Sequence, residues 1–295
     1  MNDTNRFFCL RFDVDTPACL ERGTEPLLRV AEQLNARFTF FINPGRAISR
    51  YDIAVESVRK GLPGRARKTR GAAKFSPRAK LGTRELLRLL VSNPRLIPGR
   101  SHVVRAIQAG GHEVGLHGGG NHGTWQRSAQ TWHADLTASE LDRGATALYN
   151  ATGHQPRAFA SPGWNTPPQL RPLLTERGFD ILADSHGQPE LPAPDPVSGV
   201  IEPPTWLAGE PGGVGFLEWQ RAQGETQRQI LDATERYLDT SYPLVCLYDH
   251  PFFAGVQEAE LIEQLLTAAR RSGRQIVPLG IAARALADRD GSASQ

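Results

Sequence analysis

Cysteine is scarce in this sequence, and long apolar runs are missing from it. The three cysteines are an odd number without CxxC spacing, which argues against a disulfide framework and a cysteine-based zinc site. Cys9 and Cys246 stand in short apolar runs typical of buried strands, so free thiols are expected in the core. No apolar run approaches bilayer-spanning length, and residues 1–16 lack the basic and apolar segments of a signal peptide. We therefore expect a cytoplasmic protein, at most peripheral to the inner face of the membrane.

Charge is small in total but unevenly distributed along the chain. The net charge is +3, yet between Arg46 and Arg105 there are 16 Lys and Arg residues against only Asp52, Glu56 and Glu85. Such a basic block favours contact with phosphates or with an anionic membrane, although a solvated helical insertion explains it equally well. No nucleic-acid-binding motif accompanies the block, so no nucleic-acid partner is expected.

Strand-like and helix-like segments alternate along most of the chain. The strand-like segments are "RFFCLRFDV", "FTFFIN", "HEVGLH", "RAFASPGW", "FDILADS", "LVCLYD" and "QIVPL". This alternation predicts an α/β fold with a parallel sheet, open or closed as a barrel. Residues 46–100, rich in Arg and Pro, interrupt the alternation and are interpreted as an insertion on the barrel rim. We expect one catalytic domain over residues 1–290 and a loose tail over 291–295.

Polar side chains follow several of these strands, at the end where α/β barrels carry their catalytic groups. They are Asp13, Asp15, His117, His122, Asp184 and His250. Asp and His are ligand types suited to zinc or another divalent transition metal. One Asp with two His leaves a coordination position for water, and a second carboxylate nearby could serve as its base. The pattern predicts a hydrolytic metal site.

The motifs "LRFDVDT", "GHEVGLH", "SPGW" and "LYDHP", in that order, resemble the NodB-type polysaccharide deacetylases, carbohydrate esterase family 4. Within that superfamily the chain is most similar to the 4-deoxy-4-formamido-L-arabinose-phosphoundecaprenol deformylases, which share the terminal "VPLG" and a long insertion before "GHEVGLH". The resemblance covers roughly residues 7–284. It implies a distorted (β/α) barrel of the NodB deacetylase type and metal-dependent amide hydrolysis.

The resemblance also implies roles for individual residues. Asp13 would be the base, Asp15 and His117 would be metal ligands with a second His, and His250 would be the acid, with Asp184 as a carboxylate near it. The metal would be a divalent ion: zinc, cobalt, nickel or manganese. The Gly163 N–H would help to hold the oxyanion, and Trp164, following "PG" at a strand end, would form a wall of the sugar pocket.

Two positions depart from the family pattern near "PGW". Many family members carry Arg where this chain has Ala160, although the deformylase-like branch also lacks it. That branch usually has Arg directly after "PGW", where this chain has Asn165. If that Arg contacts the phosphate or sugar of the substrate, the substrate of this chain differs.

The second histidine ligand is a further departure, in the stretch "LHGGGNHGTW". Related deformylases have three residues between the two histidines, whereas His117 and His122 are five positions apart. Counting from the left puts Asn121 at the ligand position, and counting from "TWQ" on the right puts His122 there. Since glycine reaches backbone conformations closed to other residues, the glycines can absorb one inserted residue. His122 is therefore the predicted ligand, with Asn121 as the alternative.

The expected function is removal of an N-formyl or N-acetyl group from an amino sugar, on a polyprenyl phosphate carrier in the deformylase-like case. Such an activity would belong to carbohydrate metabolism and to lipid A modification. Two alternatives remain open: an amide hydrolase acting on a soluble or nucleotide-linked substrate, and a metal-poor binding protein of the same fold. The basic residues 46–105 would contact anionic lipid if the substrate is carried on polyprenyl phosphate, and a diphosphate if the substrate is nucleotide-linked.

Overall fold

Seven parallel strands form one curved sheet in the computed structural model, which describes residues 6–49, 77–187, 192–209 and 213–293. The strands are β1 (Phe7–Val14), β2 (Thr39–Ile42), β3 (Glu113–His117), β4 (Ala158–Ala160), β5 (Ile181–Leu182), β6 (Leu244–Asp249) and β7 (Gln275–Ile276). Their order is β5-β4-β3-β2-β1-β6, and β7 pairs with the beginning of β1. The alternation read from the sequence predicted each of these strands.

Helices connect the strands as expected for parallel crossovers. They are α1 (Thr24–Gln33), α2 (Pro77–Val91), α3 (Ser101–Ala109), α4 (His122–Ser128), α5 (Ala134–Thr152), α6 (Leu170–Thr175), α7 (Phe216–Ala222), α8 (Gln227–Leu238), α9 (Pro251–Val256), α10 (Ala259–Arg271) and α11 (Leu279–Ala293). A π-helical turn, Cys19–Gly23, precedes α1, and short 3₁₀ turns cover Ala129–Thr131 and Pro162–Trp164. None of the helices in the described ranges is long and apolar enough to cross a membrane.

The two edges of the sheet are joined by an extended segment rather than by direct strand pairing. Ile201 makes a parallel bridge to Ile181 of β5, and Leu207 makes one to Leu247 of β6. Residues 201–207 therefore complete the wall between the two outer strands. The predicted distorted (β/α) barrel is confirmed.

Strand β1 shows how the sequence divides the barrel into an apolar base and a polar mouth. Alternate residues of a strand face opposite sides, and all eight residues of β1 are buried. One side packs against the surrounding helices. On the interior side, Phe7 and Cys9 belong to the apolar cluster that α11 covers, and they are followed by Arg11 and Asp13. The interior of the barrel thus changes from apolar to charged toward the carboxyl end of β1.

Three sequence predictions about the remaining segments have different outcomes. All three cysteines are buried free thiols, as expected for Cys9 and Cys246. Of the predicted basic insertion, residues 50–76 lie outside the described residues, while α2 belongs to its described part. Helix α11 continues to Ala293 and so includes the first three residues of the segment 291–295 that was predicted as a loose tail; residues 294–295 lie outside the described ranges.

Candidate metal centre

Three predicted ligands converge at the mouth of the barrel. Asp15 Oδ1 lies 3.2 Å from Nε2 of His117 and 3.2 Å from Nε2 of His122. Asp15 follows β1, His117 ends β3 and His122 begins α4, so the site joins the carboxyl ends of two strands. One ligand atom of each side chain can be chosen so that all lie within 4.8 Å of one another. This spacing suits a single ion bound between them.

The chemistry of these atoms fits a cation. His117 Nδ1 lies 2.8 Å from the carbonyl oxygen of Ala160, and donation to that oxygen leaves the Nε2 lone pair directed toward Asp15. Asp15 Oδ1 is buried and accepts no hydrogen bond from the described residues. Burial alone would raise the pKa of Asp15, but His122 and His250 lower it well below its usual range. The site therefore presents an ionised carboxylate and imidazole nitrogens to a common point.

The glycine loop explains how histidines five positions apart meet. Gly118 has φ of +76°, a conformation that favours glycine, and the Gly120 N–H donates to Glu140 Oε2 over 2.5 Å. Asn121 is the N-cap of α4: its Oδ1 accepts from Thr124 N at 3.0 Å, and its Nδ2 donates to Ile48 O. The Asn121 side chain is thus used in helix capping, and the next residue, His122, points to Asp15.

The predicted base, Asp13, has a buried cationic partner that the sequence analysis did not identify. Arg11 Nη2 lies 3.0 Å from both carboxylate oxygens of Asp13, and Arg11 Nη1 donates to the carbonyl of Ala183. The guanidinium also lies 4.7 Å from the centre of the Trp164 ring. Asp13 Oδ2 is 3.7 Å from His117 Nε2, so Asp13 stands beside the three-ligand group.

The Arg11–Asp13 pair is expected to contribute strongly to stability because both side chains are buried. Arg11→Met should lower the free energy of unfolding by about 3–5 kcal/mol, since it leaves a buried carboxylate without its partner. Arg29→Met is the matched control, because the Arg29–Glu25 pair is exposed and 4.0 Å apart; a loss below about 1 kcal/mol is expected there. Equal losses in urea unfolding would contradict this description of the pair.

The predicted acid, His250, lies between two carboxylates. Its Nε2 is 3.3 Å from Asp15 Oδ2 and 3.1 Å from the Tyr248 hydroxyl, and its Nδ1 is 3.0 Å from Glu218 Oε1. Asp249 holds the backbone here: Oδ1 accepts from His250 N, and Oδ2 accepts from the first turn of α7. Burial, with the nearby charge of Glu218, raises the pKa of Asp249 to about 7.

Asp184, the carboxylate predicted near His250, contacts the segment that carries Gly163 and Trp164. Its Oδ1 accepts from Ser161 N at 2.7 Å, and its Oδ2 accepts from the Thr166 hydroxyl at 2.7 Å. The carboxylate on His250 Nδ1 is that of Glu218. The described contacts of Asp184 therefore hold residues 161–166, the segment that carries Gly163 and Trp164.

Gly163 and Trp164 form a strained turn at the rim of the site. Gly163 has φ of +62°, and Trp164 has φ of +58°, which is uncommon for an aromatic residue. Among the described residues, no acceptor is bound by the Gly163 N–H, which leaves this donor available to a ligand. The half-buried Trp164 ring packs edge-on against Tyr248 at 5.4 Å. Trp125, by contrast, is a fully buried core residue.

Sequence reasoning missed Arg11, Glu218 and Tyr248. Arg11 had a detectable signal, because an arginine in a buried strand two positions before Asp13 must lie on the same face. Tyr248 likewise precedes His250 by two positions. Glu218 had none, since it stands on α7, far from His250 in sequence, and only the packing of α7 against β6 brings them together.

A parallel (β/α) barrel of this strand order defines the NodB type of fold, and Asp and His side chains converge at its strand ends. The family model for polysaccharide deacetylases matches residues 2–182. The chain belongs to the polysaccharide deacetylase family.

Individual relatives agree with this assignment. A probable 4-deoxy-4-formamido-L-arabinose-phosphoundecaprenol deformylase, ArnD, of Shewanella sediminis (strain HAW-EB3) is 26% identical over 185 residues, which are 61% of this chain and 56% of that protein. The match therefore spans little more than half the length of that relative.

Solved structures show the same fold. A protein of Mycobacterium smegmatis assigned to the polysaccharide deacetylases superposes with a TM-score of 0.67 at 16% identity, covering 98% of this chain and 92% of that one. A probable polysaccharide deacetylase of Pseudomonas aeruginosa PAO1 gives a TM-score of 0.63 at 14% identity, covering 96% and 91%. At these identities the likeness establishes the fold.

Proposed function

We propose that this protein is a metal-dependent hydrolase that removes an N-formyl or N-acetyl group from an amino sugar. The observation that carries the proposal is the convergence of Asp15, His117 and His122, with Asp13 beside them and His250 directed at Asp15. These three side chains would hold the ion, most suitably zinc, with cobalt, nickel or manganese as alternatives. When bound, the metal would polarise the acyl oxygen and acidify water.

The proton transfers fall to two side chains of the chain itself. Asp13 accepts a proton from the attacking water, and Arg11 orients its carboxylate through contacts with both oxygens. His250 donates a proton from Nε2 to the departing nitrogen, while Glu218 holds Nδ1–H and stabilises the charged ring. Water and amide are thereby converted into formate or acetate and a free amine.

The rim turn supports the acyl group and the sugar. The Gly163 N–H donates to the oxygen that becomes negative during attack, a contact of the kind that stabilises acyl-transfer transition states. Trp164 presents part of an aromatic ring at the same rim, where a sugar can pack against it. Asp184 fixes this turn through Ser161 and Thr166, so its part is positioning rather than proton transfer.

The substrate class can be narrowed by testing product release. Purified protein should release formate or acetate from N-acylated amino sugars, presented free, nucleotide-linked and linked to polyprenyl phosphate. The name of the Shewanella relative favours the polyprenyl-phosphate form and formate. Release by wild type but not by Asp13→Asn supports the proposal. No release from any of the three forms would count against it, and release from nucleotide-linked sugar alone would support the soluble-substrate alternative.

A carrier in the membrane would require the protein to lie on the bilayer, and helix α2 offers a surface for this. Leu87, Leu90 and Val91 are 61%, 47% and 69% exposed and lie together on the outer side of α2. Exposed Arg84 stands on the same side, within the basic part of the chain. Apolar side chains flanked by basic ones are typical of helices that lie in a membrane interface.

Binding to vesicles that contain anionic phosphatidylglycerol tests this surface. Leu87→Ser with Leu90→Ser should weaken binding about tenfold or more, because two exposed leucines no longer enter the interface. Added salt should weaken wild-type binding as well. Leu136→Ser with Val256→Ser changes comparably exposed side chains elsewhere and should leave binding unchanged. Equal effects of the two double variants, or no wild-type binding at low salt, would exclude α2 as the docking surface.

A further inference from the structure

A cavity of about 770 Å³ is lined by residues that the proposed chemistry does not use. Its described lining residues are Glu21, Arg22, Arg84, Glu85 and Arg88. They come from the π-helical turn and from α2, which the chain places far apart in sequence. The cavity is thus built by tertiary packing between two elements.

Two contacts relate the walls of the cavity to the segments that carry the site residues. The π-helical turn follows Asp15 after only a few residues, and Ala18 N donates to Glu85 Oε1 of α2 at 3.1 Å. On the other side, Arg22 lies 5.1 Å above the ring of Phe252, which is two residues beyond His250. The π-helical turn, which forms one wall of the cavity, is thus linked to the segments that carry Asp15 and His250.

The two carboxylates of the cavity are already neutralised. Glu21 pairs with Arg88 at 2.8 Å and also with Arg100, and the pKa of Glu21 falls to about 2, mainly through Arg88. Glu85 is buried and lies 3.6 Å from Arg88 in addition to its bond with Ala18 N. These contacts use Arg88 and Arg100 internally.

Arg22 and Arg84 remain without an acidic partner in the described part of the chain. Both are exposed, and both line the same concave surface. Guanidinium groups bind phosphate through paired, charge-assisted hydrogen bonds, so two of them in one cavity form a suitable phosphate site.

We propose that this cavity binds the phosphate group of a phosphorylated amino-sugar substrate, through Arg22 and Arg84, while the acyl group lies at the metal centre. The inference rests on the proposed hydrolase function for the identity of the sugar, but the phosphate site itself is defined by the cavity. The phosphate could belong to a lipid carrier or to a nucleotide, and both present the same anionic oxygens.

Isothermal titration calorimetry of the full chain with farnesyl phosphate and with uridine diphosphate tests the site without requiring catalysis. Arg22→Gln with Arg84→Gln should weaken binding of at least one probe about tenfold or more. The tighter probe then identifies the source of the phosphate. Arg29→Gln with Arg236→Gln removes the same charge elsewhere and should change the affinity less than about twofold. Equal losses in both double variants, or no loss in the first, would overturn the proposal.

Kinetics separate the failure of this site from the failure of the proposed function. With a phosphorylated N-acyl amino sugar, Arg22→Gln with Arg84→Gln should raise KM about tenfold and leave kcat unchanged, because the substituted groups do not touch the reacting atoms. With the same sugar lacking phosphate, KM should not change. If probes bind as predicted but wild type releases no formate or acetate, the phosphate site stands and the hydrolase proposal fails. If wild type releases formate or acetate but the double variant has an unchanged KM for the phosphorylated sugar, the hydrolase proposal stands and the phosphate site fails.

Discussion

His122→Ala is expected to lower the affinity for zinc by about 100-fold or more, because one of three converging ligand atoms is removed. Asn121→Ser should leave the affinity nearly unchanged, since serine keeps the cap of α4 and Asn121 points to Thr124 and Ile48 rather than to Asp15. Competition with a chromophoric chelator, followed by elemental analysis of the loaded protein, measures both affinities. A larger loss in Asn121→Ser than in His122→Ala would mean that the loop adopts the other register.

The same measurement has a predicted pH dependence. Burial lowers the pKa of His117, but the neighbouring carboxylates of Asp13 and Asp15 outweigh it, so the metal-free pKa is raised above its ordinary value of 6.5. A proton and a metal compete for Nε2, so the proton must leave when the ion binds. Zinc affinity should therefore rise with pH until it passes the raised pKa of His117. An affinity that fell over the same interval would contradict the ligand assignment.

Asp13→Asn is expected to lower kcat by about 10³-fold while leaving zinc binding within a fewfold of wild type. Asparagine has the same shape and can still accept a hydrogen bond from Arg11, but it cannot take a proton from water. Rates of formate or acetate release, with metal content measured on the same samples, test both parts. Loss of zinc in Asp13→Asn would contradict this assignment and show that Asp13, whose Oδ2 lies 3.7 Å from His117 Nε2, is a metal ligand.

Glu218→Gln, which changes the carboxylate next to the proposed acid His250, is the matched control for Asp13→Asn. Its side chain contacts His250 rather than Asp15, His117 or His122, so the ion at those three ligands should again be retained. A smaller loss of kcat is expected than for Asp13→Asn, because Glu218 orients the ring of His250 and does not itself transfer the proton. A loss of zinc in Glu218→Gln would contradict this separation of the two ends of the site.

The strand ends of the barrel were predictable from the sequence because the strands are short, apolar and followed at once by charged residues. Asp13, Asp15, His117 and His250 all stand at such ends, and parallel strands place their carboxyl ends at one side of the sheet. The register at His122 was only partly predictable, since counting from either side of the glycines gave different answers. In the structure the Asn121 side chain caps α4, which favours His122 as the ligand, and that cap is a property of the folded backbone.

The sequence did not predict that the carboxylate of Glu218 contacts Nδ1 of His250. Asp184 follows a strand, as a site residue should, yet it bonds to the turn at Ser161 and Thr166. Glu218 follows no strand and reaches His250 because Asp249 anchors the first turn of α7. Many family members carry Arg at the position of Ala160. In this chain the guanidinium that contacts Asp13 comes from Arg11 of β1. When two elements far apart in the sequence pack together, the spacing of residues in the sequence does not show which side chains will meet.

The most direct test of the central claim is release of formate or acetate as zinc is added back to chelator-treated protein. With an N-acylated amino sugar as substrate, the rate should be near zero without metal, rise in proportion to added zinc and level off at about one equivalent, as expected for a single three-ligand site. Chelator-treated protein that keeps its full rate, or reloaded protein that binds one equivalent and releases neither acid, would contradict the assignment of these residues to metal-dependent hydrolysis.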